Sequence, residues 1–154
     1  MYNQENKICS FCVNDYHLAV MLVPYIYEAI NEGKKIITLF DRDLTETTNK
    51  VIATNKRFWE NSSILEMVDW EKVRFDKLSK KFENAEDGDI VIVAGNDDFI
   101  ERINRLLINF HIKFTIVNCF HISDIAKNEN FKISDYKKIL NTKGLEEIEK
   151  CDFV

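Results

Sequence analysis

The chain has 154 residues, of which 45% are apolar and 31% charged, with a formal net charge of −5. That balance excludes a disordered tail, a collagen-like repeat and a disulfide scaffold, and a chain this long buries roughly 70% of its unfolded surface without staples. Four glycines and one proline leave nothing for a glycine-rich phosphate cradle, and lysines and arginines scattered among acids form no basic stripe for nucleic acid or an anionic membrane.

Met1 to Lys7 is polar and lacks the apolar core of a signal peptide. The longest apolar run, Leu18 to Tyr27, is broken by Pro24 and too short to span a bilayer. Cys9, Cys12, Cys119 and Cys151 then read as reduced thiols, and the expected compartment is the cytoplasm.

Ile8 to Val13 is a short β-prone run ended by Asn14-Asp15. A helix is predicted from Tyr16 to Asn31, with apolar residues recurring at three and four, a kink at Pro24 and a C-terminal cap near Gly33. Lys35 to Phe40 is apolar on both faces, the mark of an inner parallel strand. Leu44 to Asn55 is predicted helical, Ser63 to Val68 a third strand, and Trp70 to Phe82 a helix capped by Asp69. Ile90 to Ala94 is another two-sided strand, Asp98 to Phe110 a helix behind Gly95-Asn96-Asp97, and Lys113 to Cys119 a fifth strand. Two short tail helices are expected, at Tyr136 to Leu140 and Leu145 to Lys150, separated by Gly144.

Strands alternating with helices over short turns predict one α/β domain over residues 1–154. Its expected form is an open, mainly parallel sheet of about five strands with helices on both faces, a three-layer sandwich of the RecA/Rossmann kind. Ligands of such sheets bind beyond the carboxyl ends of the strands. Here those ends carry Asn14 to His17, Asp41 to Asp43, Val68 to Trp70, Gly95 to Asp97 and Cys119 to His121.

Neither G-x-x-x-x-G-K-[ST] nor G-x-G-x-x-G is present. Cys9 and Cys12 have C-x-x-C spacing, but within a strand an offset of three points them to opposite faces, as buried structural thiols. Cys119 and His121, two apart on one strand face, could hold zinc with Cys12 or His17 if the fold brings them together.

Asp41-Arg42-Asp43-Leu44-Thr45 follows an inner strand and resembles the first motif of haloacid-dehalogenase-type phosphatases. The resemblance implies Asp41 as nucleophile, Asp43 as general acid/base and Thr45 as phosphate ligand, with magnesium at Asp97 and Asp98. Leu44 stands where that family has glycine, and Gly95-Asn96 replaces its Gly-Asp. The bland alternative makes Asp41 and Asp43 turn and cap residues.

A second resemblance covers about 130 residues. Lys7 to Cys12, a polar turn, and His17 to Lys34 resemble the opening of the MEDS sensory domain found in methanogens and methylotrophs. Asp98 to Asn104, then Phe114 to His121, resemble its late helix and Cys-containing strand, and Ile139 to Thr142 its closing helix. Lys7 replaces that family's leading His, and Cys12 the aromatic that ends its first strand. The resemblance implies a RecA/KaiC-like core without a working ATP site that binds small organic effectors. The leading expectation is a non-enzymatic sensory or regulatory domain without cofactor, acting on a small effector or a regulatory protein, with a homodimer possible. Tyr16, His17, Asp41, Cys119 and His121 are the expected ligand-facing residues. Against them stand His17 as a helix surface residue and Cys119 as plain core. A protein-binding adaptor or inhibitor remains as a third class, favoured if the sheet edge has no concave pocket.

Overall fold

The computed structural model describes residues 6–58 and 62–148. In chain order they form β1 (Lys7–Cys12), α1 (Asp15–Asn31), β2 (Ile36–Phe40), α2 (Thr45–Ala53), α3 (Ser62–Glu66), α4 (Leu78–Lys81), β3 (Ile90–Gly95), α5 (Asp97–Ile108), β4 (Thr115–His121), α6 (Ile122–Lys127), β5 (Lys138–Asn141) and β6 (Gly144–Glu147). The six strands make one sheet in the order β2-β3-β4-β1-β5-β6, parallel except for β6. The expected α/β architecture holds.

Two apolar layers sandwich the sheet. On one face α1 lays Leu18, Leu22 and Ile26 over Ile8, Ile92 and Val117, with Phe58, Leu65 and Trp70 extending that layer. On the other face Ile100, Ile103 and Leu107 of α5 pack on Val91, Val93 and Ile116. All six residues of β3 are buried, as its unbroken apolar run requires of a central parallel strand. Cys9 lies in one layer and Cys12 in the other, on opposite faces as their spacing predicts. The α1 helix continues through Pro24 to Asn31, and Gly33, at φ +84°, closes it by donating to Ile30 while Lys34 reaches back to Ala29.

Three sequence expectations are corrected. Ser63 to Val68 is not a strand: α3 takes it as far as Glu66, and a turn closed by Val68 N–H on Leu65 O follows, with Leu65 and Val68 both buried. Trp70 to Phe82 is not one helix, because residues 69–73 bond to the outer edge of β2. The Thr38 hydroxyl donates to the Asp69 carbonyl, Val73 N–H to Phe40 O at 2.9 Å, and Lys81 Nζ to Thr38 O. Those bonds cover an edge that would otherwise present free backbone groups, and helix is left only as a 3-10 turn at Phe75–Lys77 running into α4. The tail forms a hairpin, not helices: Ile139 and Leu140 are buried on opposite faces, and β5 pairs with β1. Gly144, at φ +115°, opens β6 after the turn instead of separating two helices. Lys150 and Cys151 lie outside the described residues.

Candidate functional site

The carboxyl ends of β1 to β4 share one edge of the sheet. From β1, α1 carries the chain across to β2. From β4, α6 and the segment after it carry the chain the other way, to β5 on the far side of β1. Loops that diverge in this way leave a crevice between them. An open groove of about 810 Å³ lies there, lined by Val13, Tyr16, Asp41, Arg42, Asn96 and His121 among others.

Arg42 organises the groove. Its Nε and Nη2 lie 2.7 Å from Asp15 Oδ1, and its Nη1 lies 2.7 Å from Asp41 Oδ1. Two strands separate β1 from β2, a span of roughly 14 Å at the usual strand spacing. The Asp15–Arg42–Asp41 chain therefore ties the first turn of α1 to the end of β2. Burial opposes the guanidinium charge, but the two carboxylates outweigh it and hold its pKa above the ordinary value. Asp41 Oδ2 accepts the Asn96 N–H at 3.2 Å, which joins the end of β3 to the same network.

Each side chain singled out in the sequence has a definite place. Asp41 is half-buried, with both oxygens engaged. Tyr16 stands half-exposed on the groove wall. His121 lines the groove and caps α6, its Nδ1 taking the Ser123 N–H at 3.1 Å and lying 2.7 Å from the Ser123 hydroxyl. His17 is turned to the β1–α1 junction, where its Nδ1 accepts the Val13 N–H while its own N–H goes to Asn14 Oδ1. This resembles a capping box, except that the imidazole accepts the N–H of the residue before the N-cap Asn14 and not that of Asn14 itself. Cys119 is 2% exposed in the α1-side core, and burial pushes its thiol far up, so it stays neutral beneath the groove instead of facing a ligand.

The phosphatase residues are dispersed. Asp43 accepts the Thr45 N–H at 2.8 Å as a turn carboxylate, and both residues line a shallow neighbouring hollow. Asp97 and Asp98, in the first turn of α5, line another hollow beside Asn118 and Tyr136. Among the described residues no three His, Cys, Asp or Glu side chains are placed to hold a metal ion, so neither the zinc set nor the magnesium set is assembled.

Comparison with family models, with curated proteins and with solved structures finds no match. The groove itself shows what it can do. Asp15, Asp41 and Asp124 face Arg42 and Lys50, so it offers both charges to a polar ligand. Val13 and Tyr16, 54% and 52% exposed, add an apolar lip. Sequence reading overlooked Arg42, although it stands between two flagged aspartates, because its partner Asp15 opens α1 behind β1, a strand that is not a neighbour of β2.

Proposed function

We propose that the chain is a non-enzymatic sensory or regulatory domain that takes a small polar effector, or a contact from a regulatory protein, in the groove across the carboxyl ends of β1 to β4. The observation that carries this reading is the Asp15–Arg42–Asp41–Asn96 network. It links the ends of three strands at the point where the chain connections diverge. A ligand that competes for Arg42 or for either carboxylate would change how α1 and the β3 turn are held together, which is the coupling a sensor needs. The MEDS-like pattern, an α/β core without a phosphate loop, agrees with that reading.

A magnesium-dependent phosphatase needs Asp43 and the Asp97 or Asp98 carboxylate gathered beside Asp41, and here the three groups line separate hollows. The deciding experiment assays p-nitrophenyl phosphate hydrolysis with magnesium on wild type and Asp41→Asn. It is paired with amide NMR of the wild type titrated with mixtures of small polar organic molecules. The expected result is no hydrolysis that depends on Asp41, together with saturable shifts at Tyr16, Arg42, Asn96 and His121 that vanish in Asp41→Ala/His121→Ala. Magnesium-dependent hydrolysis lost in Asp41→Asn would overturn the sensory reading.

A further inference from the structure

Pro24 has no part in the edge groove. It stands within α1 and lines a second, more enclosed hollow of about 570 Å³. That hollow lies between the second half of α1 and the β5–β6 hairpin. It reaches Ile90 and Thr115, the first residues of β3 and β4, and so the end of the sheet opposite the groove.

Its inner wall is apolar, made by Ile8, Met21 and Leu140, all buried, and by the Pro24 ring, which presents no N–H. Its rim is basic. Among the described residues, Lys34, Arg57, Lys138 and Lys143 line the hollow against Glu28 and Glu32, an excess of two positive charges in a chain whose net charge is −5. Glu28 is taken by Arg57 at 2.6 Å. Among the described residues the ammonium groups of Lys34, Lys138 and Lys143 make no ion pair. The Tyr25 hydroxyl, also on the lining, makes no hydrogen bond there either. Burial pushes it up to about 12, which keeps its proton available to an acceptor.

A concave hollow with an apolar floor and convergent polar groups is the usual form of a small-molecule site. An apolar wall beneath unpaired cations selects for an apolar body with an anionic head. We propose that this hollow is a binding site for a small organic acid. Its hydrocarbon part would rest on Ile8, Met21, Pro24 and Leu140, and its carboxylate would be held by the lysine rim and the Tyr25 hydroxyl. The site is independent of the edge groove and does not rest on the reading given to it.

The test titrates the full chain with hexanoate, followed by amide NMR and calorimetry, with hexylamine and hexanol as probes of equal length and different charge. Hexanoate is expected to shift the signals of Tyr25, Ala29 and Leu140 saturably and to leave Tyr16 and Asn96 in place. Lys34→Gln/Lys143→Gln, at two exposed positions, should weaken hexanoate binding about tenfold and hexanol binding hardly at all. Hexylamine binding as tightly as hexanoate would overturn the proposal. So would unchanged affinity in the double variant, shifts confined to the edge groove, or the absence of saturable binding.

Discussion

Gly95 and Asp41 occupy one small space at the ends of β2 and β3. A Cβ on Gly95 would lie 2.8 Å from the Asp41 carboxylate and 2.6 Å from the Phe99 ring, closer than packed atoms tolerate. The absent side chain lets Asp41 reach both Arg42 and the Asn96 N–H. Gly95→Ala is therefore expected to cost about 1–3 kcal/mol by overpacking. Part of that cost should disappear in Gly95→Ala/Asp41→Ala, since the variant shortens the displaced side chain. Urea unfolding of the two single variants and the double variant measures the coupling, and strict additivity would place the cost on Phe99 alone. The sequence marks Asp41 as a polar residue after an inner strand, but its condition, free or engaged, depends on the Arg42 rotamer and on where the Asn96 backbone N–H points, which no spacing rule carries. His17 and Cys119 show the same limit. Their residue types suit ligand binding, but backbone capping at one and burial at the other decide what they do.

Elements were legible where one kind of burial ran their whole length. The two-sided apolar runs of β2 and β3 and the spacing of three and four in α1 identify themselves, because their neighbours cover them uniformly. Ser63 to Val68 and the tail were not legible. Short apolar runs satisfy strand and helix patterns alike, and the deciding contacts come from distant parts of the chain. For the tail the contact is β1, whose Ser10 hydroxyl donates to Leu140 O at 2.9 Å while Leu140 itself is 1% exposed in the α1-side core. Leu140→Ala should accordingly cost about 2–5 kcal/mol, the range for a fully buried leucine. Chemical denaturation will measure it. A loss well under 1 kcal/mol would mean that β5 is not anchored in the core.

For the molecule as a whole, burial of neutral acids sets the response to alkali. Burial raises Tyr25 from 10 to about 12 and also lifts Tyr136, Cys12 and Cys119 above their ordinary values. A group whose folded pKa lies above its unfolded value favours the fold fully below the unfolded value, and that contribution is lost as pH rises through the folded one. Stability should hold to about pH 8, where free thiols begin to ionise, and then fall by up to about 1.4 kcal/mol per pH unit for each buried group. Urea midpoints measured from neutral pH to about pH 12, followed alongside phenolate absorbance, check this. A flat midpoint across that window would show that these hydroxyls and thiols are not buried from solvent.

The local order of apolar and polar residues is enough to determine an α/β chain with a mainly parallel sheet, opposed faces for Cys9 and Cys12, and polar turns after the inner strands. These features depend on periodicity, and periodicity is local. Tertiary structure alone decided the strand order, and with it which turns meet. Arg42 can bridge Asp15 and Asp41 only because α1 crosses two strands before β2 begins, and the hollow behind Pro24 exists only because the tail returns as a hairpin beside α1. The physical reason is that a site is assembled from side chains distant in sequence, whose encounter is a property of packing and not of any one segment.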